Sequence, residues 1–161
     1  MEIVRGWMTA PAIVALETMV LPDARRLLQE RQIRRLPVVN AAGELVGIVT
    51  EGDINRISDG PGTDVRDYNL YHRVADLPLR DFMTRIVVTV HPDTPIGTVA
   101  AILRDWRIGG VPVLDGGRVV GMITENDLFK VLIAEEDAAD QMLEMRRDDT
   151  SIGQVRLQAV A

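Results

Sequence analysis

Cysteine is absent from the 161 residues, which excludes disulfides, thiolate zinc sites and cysteine nucleophiles. Aromatic residues are scarce at 4%, so a core must be built from Val, Ile, Leu, Ala and Met. Basic charge is not in excess: 18 Lys and Arg stand against 24 Asp and Glu, a formal net charge of −6. A protein that displaces counterions from a duplex needs a basic face, so nucleic acid is not expected as a main partner. No apolar run approaches the ~20 residues of a membrane span, and no membrane insertion is expected. Met1-Glu2-Ile3-Val4-Arg5 lacks the basic-then-apolar pattern of a secretory signal. A soluble, cytoplasmic protein is the expectation. No Walker loop and no Gly-x-Ser-x-Gly elbow occur, and Ser58 and Ser151 have no evident His/Asp partners. His72 and His91 lie far apart with no acidic cluster at ligand spacing, so neither a metal site nor an enzyme is expected.

What the chain does have is a duplication. Met8-Thr9 returns as Met83-Thr84, and Leu36-Pro37-Val38-Val39 returns as Val111-Pro112-Val113-Leu114, both at an offset of 75 residues. Gly47-Ile48-Val49-Thr50-Glu51-Gly52-Asp53 returns as Gly121-Met122-Ile123-Thr124-Glu125-Asn126-Asp127 at an offset of 74. The lost residue falls in the turn between Asn40 and Gly47, where loops tolerate length change. Each copy spans about fifty residues, a size at which a lone core is marginal. The copies are therefore expected to share one core, with two related clefts.

Each copy reads as β-α-β-β-α. In the first, Ala12 to Leu16 is an expected strand, and Pro22-Asp23 opens a helix with Ala24, Leu27 and Leu28 on one face. Leu36–Val39 and Leu45–Val49 form a hairpin across Asn40-Ala41-Ala42-Gly43, and Thr50 caps a short helix through Ile57. In the second, Ile86 to Val90 is the first strand, and Thr94-Pro95 starts a helix whose Val99, Ile102, Leu103 and Trp106 read as core. Gly110–Leu114 and Val119–Ile123 form a hairpin across Asp115-Gly116-Gly117. Thr124 starts a last helix that is expected to reach Met145 and break at Asp148-Asp149. Ser58 to Asp64 reads as a flexible connection, Tyr68 to Leu77 as a segment with a short helix, and Ser151 to Ala161 as a frayed strand or an unfinished element.

Each hairpin delivers a threonine to the first turn of a helix, with aspartate one turn later: Thr50-x-x-Asp53 and Thr124-x-x-Asp127. Helix N-termini offer unpaired N–H groups and partial positive charge to phosphate oxygens. A carboxylate beside them can accept both hydroxyls of a ribose. The pair therefore suits a ribose-phosphate group. The same residues also read as helix caps, worth about 1 kcal/mol each and needing no ligand. Both readings stand on sequence, and the repetition favours a site.

The ordered motifs in both copies resemble tandem cystathionine-β-synthase (CBS) domains, a Bateman module. They are the Met-Thr opening, the hydrophobic-Pro-Val-hydrophobic strand and the Gly-h-h-Thr-x-x-Asp ending. The resemblance covers Val4 to about Val131. It implies an α/β (α+β) fold of two pseudo-symmetric repeats packed sheet to sheet, with repeat 1 at 1–60, a linker at 61–78, repeat 2 at 79–134, and a C-terminal helix and tail at 135–161. It also implies a regulatory role with no obligatory cofactor, an adenosine nucleotide (AMP, ADP or ATP) or S-adenosylmethionine as ligand, a homodimer, and an unknown regulated protein. Family clefts are built across the pair. One would use Thr50 and Asp53 with Arg85, Val87, Ile108 and Gly109; the other Thr124 and Asp127 with Thr9, Ala12, Ile13, Ile33, Arg34 and Arg35. Arginine pairs with phosphate in a fork and glycine cannot. Since Arg34-Arg35 stand where repeat 2 has Gly109-Gly110, the Asp127 cleft is expected to prefer a phosphorylated ligand. The alternatives are a ligand-free structural dimerisation module and a fragment of a larger regulated enzyme or transporter.

Overall fold

The apolar spacing of each copy becomes one helix packed on one hairpin. In the computed structural model, which describes residues 1–58 and 74–150, α1 (Leu21–Arg31) buries Leu21, Ala24 and Leu28 along one face. Pro22 lies in its first turn, where a missing N–H costs nothing. Strands β2 (Arg35–Val39) and β3 (Leu45–Thr50) pair antiparallel, and the short β1 (Ala15–Leu16) runs parallel to β2. The β2–β3 turn closes because Asn40 Oδ1 accepts the N–H groups of Ala42 and Glu44, both at 3.0 Å. Helix α2 (Glu51–Ser58) follows β3 without a break.

Copy 2 repeats the plan. Helix α3 (Ile96–Trp106) buries Ile96, Val99 and Leu103. Strands β4 (Gly110–Asp115) and β5 (Arg118–Thr124) pair antiparallel, with Asp115 opposite Arg118. The two residues between them, Gly116 and Gly117, have φ of +55° and +75°, the left-handed values that a two-residue hairpin turn demands. Helix α4 (Glu125–Thr150) continues from β5.

Three expectations need correction. The strand expected at Ile86–Val90 shrinks to one parallel bridge, Val90 to Val113, and the first-copy strand keeps only two residues. Helix α4 does not break at Asp148-Asp149 but runs to Thr150; neither residue carries a helix-breaking φ constraint. Most of the Tyr68–Leu77 segment, the connection from Asp59 and the tail from Ser151 lie outside the described residues.

The third correction concerns the core, which is two clusters exchanged between the copies. Copy 1 opens with a 3-10 turn (Val4–Gly6) that packs on copy 2: Val4 N–H donates to Thr94 O at 3.0 Å, and Val4 is buried among Val99, Leu103 and Ile123. Copy 2 opens with a 3-10 turn (Leu79–Asp81) that packs on copy 1: Leu79 N–H donates to Met19 O at 2.8 Å, and Leu79 and Met83 join Leu21, Leu36 and Ile54. Burying an aliphatic side chain contributes about 1.5–3 kcal/mol. Each copy therefore draws part of its stability from the opening segment of the other.

The exchange explains two of the repeated motifs together. Thr9 and Met122 swap backbone hydrogen bonds (2.9 and 3.0 Å), as do Thr84 and Ile48 (3.0 and 2.9 Å). Each Met-Thr thus forms an added rung against the opposite copy's last strand, directly over its glycine. A Cβ at Gly121 would lie 2.8 Å from Met8 Sδ and 2.9 Å from Thr9 O; one at Gly47 would lie 3.0 Å from Thr84 O. Only glycine leaves room for the rung.

Candidate functional site

The chain crossing that exchanges the openings also leaves two cavities, of about 380 and 470 Å³. Helices α1 and α3, which precede β2 and β4, end in the same way. Gln32 and Arg107 adopt φ of +53°, and the next amides, Ile33 and Ile108, reach back to Leu28 O (3.0 Å) and Leu103 O (3.1 Å). This turn stops each helix and presents Ile33 and Ile108 to a cavity. The following carbonyls, Arg34 O and Gly109 O, accept the N–H of Glu51 (2.8 Å) and Glu125 (3.1 Å). Each hairpin therefore pins its helix start against the residues before its own β2 or β4.

The first cavity joins Thr124 and Asp127 of copy 2 to Thr9, Ala12 and Ile13 and to Ile33, Arg34 and Arg35 of copy 1. The second joins Thr50 and Asp53 of copy 1 to Val87, Ile108 and Gly109 of copy 2. The structure thus brings together every residue picked from the sequence except Arg85. That arginine is not in the lining; its Nη2 donates to Arg80 O at 2.8 Å. It sits one residue after the Thr84 rung and two before Val87, with its side chain directed back to its own 3-10 turn.

Several lining residues escaped sequence reading. Thr84 and Val88 line the second cavity, and the offset that links Thr9 and Ile13 to them was the available signal. Trp106, read as core, is instead 61% exposed and lines that cavity at the end of α3. Its place in an apolar stripe was misleading because α3 ends there. Lys130 lines the first cavity; it lies one helical turn beyond Asp127, too far from the motif to be noticed.

The two Thr/Asp pairs are bonded differently. Thr50 and Asp53 form a reciprocal capping box: Asp53 N–H donates to Thr50 Oγ1 (3.2 Å), and Thr50 N–H donates to Asp53 Oδ2 (2.9 Å). Arg56 pairs with Asp53 Oδ1 from the solvent side. In copy 2, Thr124 donates both its N–H and its hydroxyl to Asp127 Oδ2, each at 2.9 Å, and Lys130 Nζ donates to Oδ1 at 3.0 Å. Asp127 is only 3% exposed, the one buried charged residue among those described. The threonine cap read from sequence is present in copy 1; in copy 2 the Thr124 hydroxyl is turned to Asp127 and only the aspartate arm of the box remains. Both carboxylates still lie in the cavity linings.

Arg34 and Arg35 are not confined to the Asp127 cavity for which they were named. Both line both cavities, as does Gly109. Burial pushes the Arg35 guanidinium below its ordinary pKa; the Glu125 carboxylate opposes this and the Arg34 charge adds to it. Among the described residues no group of three or more His, Asp or Glu side chains is placed to hold a metal ion. No helix among them is long and apolar enough to cross a membrane.

The CBS domain model matches the chain twice, at residues 4–60 and 79–134. The chain belongs to the CBS-domain family. Its two copies form a CBS pair of mixed α/β architecture. The pair is 31% identical over 131 residues to the L-aspartate semialdehyde sulfurtransferase of Methanocaldococcus jannaschii, covering 80% of this chain and 23% of that protein. It is 33% identical over 114 residues to a CBS domain-containing protein of Dictyostelium discoideum, covering 70% of this chain and 79% of that one. The chain thus spans less than a quarter of the first relative and most of the second. Among solved structures it resembles a CBS domain pair in complex with 5′-methylthioadenosine and S-adenosyl-L-methionine, with a TM-score of 0.70 and 30% identity. That likeness covers 83% of this chain and 98% of the other.

Proposed function

We propose that this CBS pair is a regulatory module that binds an adenosine-containing small molecule and passes its occupancy to a partner protein. The observation that carries the reading is the pair of crossed cavities. Each sets a Thr/Asp helix start from one copy against the opening segment and pre-strand residues of the other. The helix start and Arg34-Arg35 suit phosphate or carboxylate oxygens, and Asp53 and Asp127 suit ribose hydroxyls. Ile33 and Ile13 in one cavity, and Ile108, Val87 and Val88 in the other, offer apolar faces for a base. The resemblance to a CBS pair holding two adenosine compounds supports this ligand class. AMP, ADP, ATP and S-adenosylmethionine are the candidates. Because each cavity is closed by both copies, a ligand that fills one changes how the copies sit together, and a partner or a second copy of the chain reads that change.

A second reading has an observation of its own. The Thr50/Asp53 capping box accounts for that motif with no ligand, and α4 exposes Phe129, Leu132 and Ile133 on one face. This favours a structural dimerisation module. A thermal-shift panel with AMP, ADP, ATP, S-adenosylmethionine and NAD separates the two. A ligand at 100 times its dissociation constant adds about 2.7 kcal/mol, or about 5–10 °C for a chain of this size. A shift with any of them that is lost in Asp53→Ala or Asp127→Ala supports sensing. No shift with the whole panel leaves the structural reading.

A further inference from the structure

The two cavities meet at one seam. Arg35 and Gly110 occupy the same position in the two copies, and the seam brings them face to face. A Cβ at Gly109 would collide with Arg35 Nη2, and one at Gly110 would lie 3.2 Å from Arg35 Nη1. The space that two glycines leave empty is filled by one guanidinium, and that guanidinium lines both cavities. Glu125 Oε2 approaches the same spot, 3.6 Å from the Gly109 Cβ position. Yet Arg35 makes no hydrogen bond or ion pair within 4 Å among the described residues. Arg34 reaches the same seam but is exposed, where salt and water screen its charge. A half-buried guanidinium whose donor fork has no partner among the described residues is suited to an anion.

We propose that Arg35 is a single phosphate-binding group shared by the two cavities, so that a phosphorylated ligand in one weakens the binding of a phosphorylated ligand in the other. This rests on reading the cavities as adenosine sites. One guanidinium offers one fork to one phosphate at a time. Two phosphates drawn to the same cation also repel each other. A nucleoside without phosphate makes no demand on Arg35, so two nucleosides bind independently. The expected preference of one cavity for phosphate is thereby replaced by competition between both.

Calorimetric titration of the full chain with AMP, and separately with adenosine, tests this. Asp127→Ala leaves only the Asp53 cavity, and Asp53→Ala leaves only the Asp127 cavity, so each variant supplies one single-cavity dissociation constant. With AMP, the product of the two stepwise constants of the unaltered chain should exceed the product of the single-cavity constants about tenfold, an ordinary coupling strength. With adenosine the two products should agree within about twofold, and Arg35→Gln should abolish the excess seen with AMP. An equal excess with adenosine, no excess with AMP, or an excess that survives Arg35→Gln overturns the sharing. The AMP–adenosine comparison leaves Arg35 intact, so it decides the matter without that variant. If adenosine and AMP bind without coupling, the sharing alone fails; if neither binds, the adenosine reading fails and the sharing with it.

Discussion

The two Thr/Asp pairs look identical in sequence, but the structure gives them unequal weight in stability. Asp127→Ala removes three partners from a carboxylate that is 3% exposed: the Thr124 N–H, the Thr124 hydroxyl and Lys130. Losing the acceptor of the Thr124 N–H costs about 1 kcal/mol. Leaving the half-buried hydroxyl without its acceptor costs about 1 kcal/mol more. The Lys130 pair adds a few tenths at most, because its ammonium is 63% exposed and screened. The sum is about 2–3 kcal/mol. Asp53→Ala should cost about 1 kcal/mol, because Thr50 Oγ1 still accepts the residue-53 N–H and Arg56 is a solvent-facing partner. Asp127→Asn, which keeps an acceptor for the Thr124 N–H, should fall between them. Urea unfolding of the ligand-free chain, followed by far-UV circular dichroism, measures the difference. In thermal melts the Asp127→Ala loss corresponds to about 5–10 °C and the Asp53→Ala loss to about 2–4 °C. An Asp127→Ala variant no less stable than Asp53→Ala would refute the reasoning, since the Thr124 hydroxyl bond would then contribute nothing.

Other substitutions probe the exchange of openings and the helix ends. Gly121→Val should destabilise by about 1–3 kcal/mol, since its side chain meets the Thr9 carbonyl; hydrogen exchange should show the Thr9 and Met122 amides losing protection together. Gly97→Ala, in the exposed first turn of α3 with nothing within 4 Å of the new Cβ, should stabilise by about 0.5–1 kcal/mol in the same urea assay. Arg107→Gly relieves a left-handed residue at φ +53° and should raise the melting temperature by a degree or more, corresponding to about 0.5–1 kcal/mol.

The duplication made most of the architecture legible. The hairpins, the helices and the Thr/Asp helix starts all follow from apolar periodicity and turn residues repeated at a fixed offset. The opening segments were not legible as exchanged elements. Met8-Thr9 and Gly121 are each local features, and only the folded chain shows that one needs the space the other leaves. The apolar run before α3 does not form the strand its composition suggests, because Ile86, Val87 and Val88 line a cavity and only Val90 joins a sheet. Arg34-Arg35 against Gly109-Gly110 was visible as a difference, but not as a contact. The pseudo-symmetry that places equivalent positions opposite each other is a property of packing, which no one-dimensional comparison of the copies contains.

The central claim, that the two crossed cavities are adenosine sites, is tested most directly by the number of adenosine ligands bound per chain. Equilibrium titration with adenosine, whose binding does not engage Arg35, should give two per chain. The count should fall to one in Asp53→Ala and to one in Asp127→Ala, with both variants still folded by circular dichroism. A folded chain that binds none, or whose binding survives both substitutions together, would contradict the account.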